Sequence, residues 1–229
     1  MKIDVITSFN QDYYNKIGRA CVESWTEHWP SGARLIVYIE DMDWSAPPGV
    51  RTVSFDQLGS DYVAFQQSDE KGRAKTFAKK AYSFIHACNN TTADRLIWLD
   101  ADVITQQPVP FELLANLCND QQLSAFMPVN HDGYFSAETG VVCMNTHHPK
   151  FQAFMQRYAQ RYNDHIKHDL RRFYDGEVFG AVVKEISAEY NNLCQGLKKD
   201  YKSPLKHTAL GQYLTHYKSK HSKDDFQAQ

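Results

Sequence analysis

The sequence predicts a single α/β domain in which helices cover both faces of a mainly parallel sheet. Short apolar segments that are typical of buried strands alternate along the chain with longer segments of helical periodicity. Residues 35–40 (LIVYIE) are apolar almost throughout, as expected for a parallel strand that is covered on both faces. The 229 residues contain no internal repeat and no low-complexity linker that would divide them into two domains.

The predicted elements follow from hydrophobic periodicity and from residues that end helices and strands. In residues 1–105 they are a strand at 2–9, a helix stopped by Pro30 and Gly32, strands at 35–40 and 50–55, a helix from Lys75, and a strand at 95–99. In residues 106–229 they are a helix at 111–118, strands at 123–129 and 140–145, and helices at 149–166 and 176–186. This alternation brings the carboxyl ends of the parallel strands to one edge of the sheet.

Composition and charge argue against nucleic-acid-binding and membrane-spanning proteins. The formal net charge is −2, so nothing favours non-specific binding to nucleic acid. No apolar run approaches the roughly 20 residues that span a bilayer, and the first residues do not resemble a secretory signal. The five cysteines have no C-x-x-C spacing and are interpreted as reduced packing residues. We therefore predict a cytoplasmic protein without a transmembrane segment.

Two aspartates directly follow the apolar segment RLIWL, in the stretch RLIWLDADV at residues 95–103. Asp100 and Asp102 thus lie at the carboxyl end of a strand, where ligands bind in open parallel sheets. Positions i and i+2 of a regular strand are about 6.5 Å apart, so both acids can hold one ion only if the chain bends at Ala101. Without a bend, one acid acts through water or on a sugar hydroxyl. Close carboxylates repel each other, and a hard divalent cation would compensate them.

Four stretches of the chain together resemble a known family. They are LDADV at residues 99–103, ETGVVCMN at 138–145, YDGEVF at 174–179 and HYKSK at 216–220. In this order they resemble the D-x-D, N-S-G-x-x-x-x-N, active-site aspartate and H-[FY]-x-G motifs of nucleotide-sugar-dependent glycosyltransferases with the GT-A fold, in particular the glycogenin and galactosyltransferase-like group. The resemblance implies one GT-A domain at residues 1–229, with a nucleotide-binding half at 1–105 and an acceptor half with a metal-closing tail at 106–229.

The resemblance also implies an activity and a metal site. The expected enzyme is a hexosyltransferase that moves a hexose from a nucleotide sugar, UDP-linked, to an unidentified carbohydrate, lipid-linked or protein acceptor. A Mn²⁺ or Mg²⁺ ion would stabilise the departing diphosphate. Asp102 would be the main ligand, Asp100 would reach the metal or the ribose hydroxyls, and His216 would be the third ligand, whose imidazole favours Mn²⁺.

Several basic residues are candidates for contacts with the donor. Lys218 and Lys220 would reach the diphosphate, because residues two apart share a side of an extended segment. The glycine of the family motif is Ser219 here, and the family's lysine lies farther along, where Ser222 stands beside Lys223. Which tail lysine binds phosphate therefore stays open. The resemblance also places a basic residue near the start of the helix that precedes the D-x-D strand, and it favours Lys75 over Arg73.

Polar residues after the first strand and two further acids complete the predicted site. By the resemblance, Thr7, Ser8 and Tyr13 would hold the base and ribose. Glu138 and Asp175 would be the catalytic or acceptor-orienting carboxylates. The family members that this chain resembles retain the configuration of the sugar, but Glu138 stands where the family has asparagine, so the stereochemistry stays open.

Two other classes of protein share parts of these patterns. A haloacid-dehalogenase-like phosphatase would use Asp100 and Asp102 as its nucleophile and its acid, but its motif has threonine or valine where this chain has Ile104. A non-catalytic nucleotide- or carbohydrate-binding module would need neither His216 nor the basic tail. The oligomeric state stays open, with a homo-oligomer as one alternative.

Overall fold

The computed structural model describes residues 1–131, 134–194 and 203–217. The described strands are β1 (Ile3–Asn10), β2 (Ala33–Glu40), β3 (Val50–Ser54), β4 (Arg95–Leu99), β5 (Val103–Thr105), β6 (Ser124–His131), β7 (Tyr134–Asn145), β8 (Tyr190–Asn192) and β9 (Leu214–His216). The described α-helices are α1 (Gln11–Tyr13), α2 (Arg19–His28), α3 (Ser60–Gln67), α4 (Arg73–Asn90), α5 (Phe111–Ala115), α6 (Phe151–Asn163) and α7 (Asp175–Glu185).

Seven of these strands form one twisted sheet in the order β3-β2-β1-β4-β7-β6-β8. Four of the six pairings are parallel, and β7 pairs antiparallel with both β4 and β6. This confirms the predicted α/β class with a mainly parallel sheet. Strands from both halves of the chain lie in this sheet, since β4 of the first half pairs directly with β7 of the second.

Buried apolar side chains cover both faces of the sheet. One cluster packs helices α4, α6 and α7 against one face and includes Ile6 of β1 together with Phe84 and Phe179. The other packs α2 against the opposite face and includes Val5 of β1 together with Trp25. Adjacent residues of β1 thus point into different cores, as the period of two in a strand requires. The helices on both faces therefore agree with the prediction.

Several predicted boundaries were wrong. The helix expected at residues 111–118 ends at Ala115, and the strand expected at 140–145 already begins at Tyr134. Residues 136–139 of that strand look irregular in sequence because they line a cavity rather than a core. The sequence reading also missed α3 and the short strands β5, β8 and β9, which are too short or too weakly periodic to be recognised.

The cysteines are unpaired in the described residues, as the sequence predicts. Cys21, Cys88, Cys118 and Cys143 are buried, Cys194 is partly buried, and all five are free thiols. Among residues 1–131, 134–194 and 203–217, no helix combines the length and apolar character needed to cross a bilayer.

A two-stranded ribbon brings the end of the described chain to the aspartate pair. β5 begins directly after Asp102 and pairs antiparallel with β9, so that Val103 lies opposite His216. The backbone N–H of Tyr217 donates to the carbonyl of Asp102 over 2.8 Å. Residues that are more than a hundred positions apart in sequence are thereby held side by side.

Candidate metal centre and its cavity

The chain bends directly after β4, where the two aspartates lie. The backbone N–H of Val103 donates to the carbonyl of Asp100 over 2.9 Å and closes a turn around Ala101. This is the bend that two acids at positions i and i+2 need in order to face one ion. One ligand atom each from Asp100, Asp102 and His216 lies within 4.8 Å of the others. The three side chains could therefore hold a metal ion together.

His216 faces both aspartates with the same ring nitrogen. Its Nε2 lies 3.1 Å from Oδ1 of Asp102 and 3.9 Å from Oδ2 of Asp100, while Nδ1 lies 3.8 Å from Oε1 of Glu138. Burial lowers the pKa of His216, but the hydrogen bond with Asp102 and the charges of the three acids outweigh this and raise it. Nε2 is thus the imidazole atom that a metal would share with the carboxylates.

Gly140 of β7 makes room for this imidazole. A Cβ at this position would lie 2.6 Å from Cε1 and 2.8 Å from Nδ1 of His216. Real atoms do not approach so closely, so any side chain here would displace the ring. The glycine of the ETGVVCMN stretch is therefore required by the position of His216.

We expect Gly140→Ala to weaken Mn²⁺ binding about tenfold while the protein stays folded, because the clash is with a side chain and not with backbone. Calorimetric titration of Mn²⁺ into metal-free protein measures the effect. In a His216→Ala background the same glycine substitution should change little, since the clashing atoms are gone. Equal losses in both backgrounds would contradict this role of Gly140.

Lys80 of α4 lies behind the aspartates and connects two of the acids. Its Nζ donates to Oδ1 of Asp100 over 2.7 Å and to the carbonyl of Thr139 over 2.7 Å, and it lies 3.0 Å from Oδ2 of Asp175. Burial lowers the pKa of Lys80, but the charges of Asp100 and Asp175 and their hydrogen bonds outweigh this and raise it. Lys80 therefore carries its charge between two carboxylates.

The two carboxylate oxygens of Asp100 have different partners. Oδ1 accepts from Lys80 and, over 2.6 Å, from Nε1 of Trp98, so two donors already satisfy it. Oδ2 is the oxygen that faces His216. A metal at this site would therefore use Oδ2 of Asp100, while Oδ1 fixes the orientation of the carboxylate.

Asp175 is held at the start of α7 by a close approach of two backbones. A Cβ on the next residue, Gly176, would lie 2.2 Å from the carbonyl oxygen of Ala137 in β7. The first turn of α7 lies directly against β7, and only glycine at position 176 permits this contact. Thr139 then donates to Oδ2 of Asp175, the same oxygen that Lys80 contacts.

The side chains of Lys80, Asp100, Asp102, Glu138 and Asp175 line a cavity of about 560 Å³ at the carboxyl edge of the sheet. Six of the residues predicted from sequence line it: Ser8, Tyr13, Asp100, Asp102, Glu138 and Asp175. Burial, followed by the negative charges of Asp102 and Asp100, raises the pKa of Tyr13 above its ordinary value. The structure thus brings together the predicted acids, Tyr13 and Ser8.

Other predicted residues lie elsewhere. Thr7 is fully buried in β1, because it points to the opposite side of the strand from Ser8. Arg73 is exposed, and Nζ of Lys75 donates to the carbonyl of Gln66 over 2.6 Å, so neither lines the cavity. Lys218 and Lys220 lie outside the described residues.

Sequence reasoning missed Lys80, although a signal was present. Lys80 falls three residues after Phe77 and four before Phe84, which places it on the inward face of α4. A lysine on an apolar helix face needs buried partners for its charge. The neighbouring Lys79 lines the cavity as well, where it pairs with Glu40.

Comparisons with known proteins identify the fold. No protein-family model and no curated protein matches the sequence. The fold is that of GT-A glycosyltransferases. Among solved structures, the bifunctional glycosyltransferase WbbM matches with a TM-score of 0.61 at 14% identity, over 96% of this chain and 46% of that chain. The glycosyltransferase GlyE of Streptococcus pneumoniae TIGR4 matches with a TM-score of 0.54 at 14% identity, over 83% of this chain and 45% of that chain.

A third similar structure is LgtC, described as a galactosyltransferase in complex with donor and acceptor sugar analogs. It matches with a TM-score of 0.54 at 10% identity, over 82% of this chain and 72% of that chain. The chain spans a little under half the length of the WbbM and GlyE structures. At these identities the similarity is one of fold, and it excludes the fold of a haloacid-dehalogenase-like phosphatase.

Proposed function

We propose that this protein is a divalent-metal-dependent glycosyltransferase that moves a hexose from a UDP-sugar to an acceptor hydroxyl. The observation that carries the proposal is the convergence of Asp100, Asp102 and His216 at the carboxyl edge of a GT-A sheet. The three side chains come from two distant segments, and the two aspartates line a cavity of about 560 Å³. Stabilising the fold does not require a histidine from a separate strand beside two acids, whereas binding a metal ion does require several ligands at one place.

The donor set fits a Mn²⁺ or Mg²⁺ ion. Carboxylate oxygens suit both ions, and the imidazole nitrogen favours Mn²⁺. Asp102, Oδ2 of Asp100 and Nε2 of His216 would hold the ion, with Glu138 behind the imidazole to orient it. When bound, such an ion stabilises the negative charge of a departing nucleoside diphosphate.

The remaining cavity residues would bind and orient the donor. Ser8 and Tyr13, at the end of β1, would contact the base and ribose. Within the described residues, the hydrogen bond and the ion pair of the Asp175 side chain both use Oδ2, so Oδ1 would accept from a hydroxyl of the donor sugar. Lys80 would hold Asp100 and Asp175 at a fixed separation. A retaining reaction, with Glu138 or Asp175 next to the sugar, remains the prediction that the family resemblance favours.

Nucleotide binding tests the proposal. After removal of metal with EDTA, we expect UDP to raise the unfolding temperature only when Mn²⁺ is added. At a hundredfold excess over its Kd, UDP should contribute about 2.7 kcal/mol to the free energy of unfolding. If UDP and UDP-hexoses leave the unfolding temperature unchanged with and without Mn²⁺, the proposal is wrong.

Slow hydrolysis separates an enzyme from a binding module. A glycosyltransferase should release UDP from UDP-glucose or UDP-galactose in the presence of Mn²⁺, with water as a poor acceptor. Tight Mn²⁺-dependent binding of UDP without any release from either sugar nucleotide would instead support the non-catalytic module. Acceptor, oligomeric state and cytoplasmic location remain predictions, and the five free cysteines support a reducing compartment.

A further inference from the structure

The connector between α6 and α7, residues 164–174, is rich in basic side chains. It contains the sequence HIKHDLRR at residues 165–172. Two of its members, Arg171 and Arg172, line the cavity of the candidate metal centre. Six carboxylates line the same cavity: Glu40, Asp100, Asp102, Glu138, Asp175 and Glu177. Lys79 and Lys80 also line it, but each pairs with one or two of these acids, so the two arginines add a second basic region on the connector.

Packing and hydrogen bonds hold this connector in place. Arg161, which is 1% exposed, donates to both oxygens of Asp169 over 2.6 and 2.7 Å. The ring of His165 stacks on Phe65 with centroids 5.0 Å apart. The backbone N–H of Arg172 donates to Oε2 of Glu177 over 2.7 Å, which fixes the chain beside the cavity. These contacts hold the backbone of the connector beside the cavity.

The basic residues of the connector differ in their partners. Lys167 pairs with Glu70, and Nε of Arg171 lies 3.5 Å from Oε1 of Glu177. The guanidinium of Arg172 lies 5.7 Å from the centre of the Tyr174 ring, and within the described residues it contacts no carboxylate. A guanidinium with free N–H groups in a cavity wall suits two-point binding of an oxyanion.

Arg172 lies beside the first turn of α7, since its backbone N–H donates to Oε2 of Glu177, and both residues line the cavity. The same turn carries Asp175, which shares Lys80 with Asp100. Under the proposed function, a donor whose diphosphate lies at the aspartates would have its hexose near Asp175. Arg172, three residues before Asp175, would then lie near that hexose, where an acceptor hydroxyl must arrive.

We propose that Arg172, with Arg171 beside it, is a binding site for an acidic group of the acceptor, a phosphate or a carboxylate. This inference rests on the proposed function, and it adds the chemical class of the second substrate. The acceptor is then an acidic saccharide or a phosphate-bearing molecule. Its anionic group binds to the guanidinium, and its hydroxyl faces the donor hexose.

Calorimetric titration of protein saturated with UDP and Mn²⁺ tests this site, because UDP then occupies the diphosphate position. The probes are glycerol 3-phosphate and glucuronate, with glycerol and glucose as neutral controls. We expect at least one acidic probe to bind more tightly than its neutral control. The Kd of that probe should rise about tenfold in Arg172→Gln. It should rise less in Arg172→Lys, which keeps the positive charge but lacks the paired N–H donors of the guanidinium.

Lys167→Gln is the matched control, since it removes one positive charge from the same connector at a residue that does not line the cavity. It should change the Kd of the acidic probe less than about twofold. The inference is overturned if neither acidic probe has a lower Kd than its neutral control. It is also overturned if Lys167→Gln raises the Kd of the acidic probe as much as Arg172→Gln does, or if Arg172→Gln raises the Kd of UDP as much as that of the probe. Failure of UDP itself to bind would reject the proposed function, and titration of nucleotide-free protein would still test the oxyanion site.

Discussion

Asp102→Asn is expected to abolish the Mn²⁺-dependent stabilisation by UDP. Oδ1 of Asp102 lies 3.1 Å from Nε2 of His216, so the amide would replace the one carboxylate oxygen that directly meets the imidazole. A neutral amide is a much weaker ligand for a hard cation, and the apparent affinity for Mn²⁺ should fall by about a hundredfold or more. Titration calorimetry with Mn²⁺ in the presence of UDP measures this change.

The same substitution should leave metal-free protein folded. Two acids face each other at this site, and removing one charge relieves their repulsion. The matched control is Asp120→Asn, since the Asp120 side chain is 97% exposed and pairs only loosely with Arg95. If Asp102→Asn kept the Mn²⁺-dependent shift of the parent protein, Asp102 would not be a ligand and the candidate metal centre would have to be abandoned.

Lys80→Met is expected to cost about 3 to 5 kcal/mol of the free energy of unfolding, because it removes one partner of a buried ion pair. Only 15% of the Lys80 side chain is exposed, and it contacts both Asp100 and Asp175. The substitution leaves these carboxylates without their common cation. Urea denaturation of the metal-free protein measures the loss, and Mn²⁺-dependent binding of UDP should weaken as well because Asp100 loses its fixed orientation.

Lys79→Met provides the matched control for this experiment. Lys79 is the adjacent residue of α4, but its side chain is 30% exposed and pairs with Glu40. Its loss should cost less than about 1 kcal/mol. Equal destabilisation by the two substitutions would mean that Lys80 does not hold the acids, whereas partial rescue by Lys80→Arg would support its role as their shared cation.

Much of the fold could be predicted because its signals are local. The apolar run RLIWL and the helical spacing from Phe77 to Cys88 give the strand and helix found at those places. The aspartates after β4 could be assigned to the ligand edge of the sheet from their position alone. The bend at Ala101 could be stated as a requirement of the geometry, and the turn from Asp100 to Val103 meets it.

Side-chain direction was harder to predict, because it depends on neighbours that are distant in sequence. Lys75 and Lys80 lie on the same helix, yet Lys75 bonds to Gln66 and Lys80 to the acids of the site. Thr7 and Ser8 are consecutive, but only Ser8 reaches the cavity. Each residue of a helix is rotated by about 100° from the one before it, and successive residues of a strand point to opposite faces. These rotations decide which side chain reaches the cavity, and a sequence motif does not contain that information.

The amino-acid sequence alone was enough to predict the α/β class, the strand that precedes Asp100 and Asp102, and the residue types able to bind a cation. Only the tertiary structure decided that His216 meets them, since this depends on the pairing of β9 with β5 and on the space that Gly140 leaves. It also decided that Lys80 joins Asp100 to Asp175 and that Arg172 faces the cavity. Local patterns reflect the conformation of a segment, whereas a site is formed by contacts between segments that only the folded chain brings together.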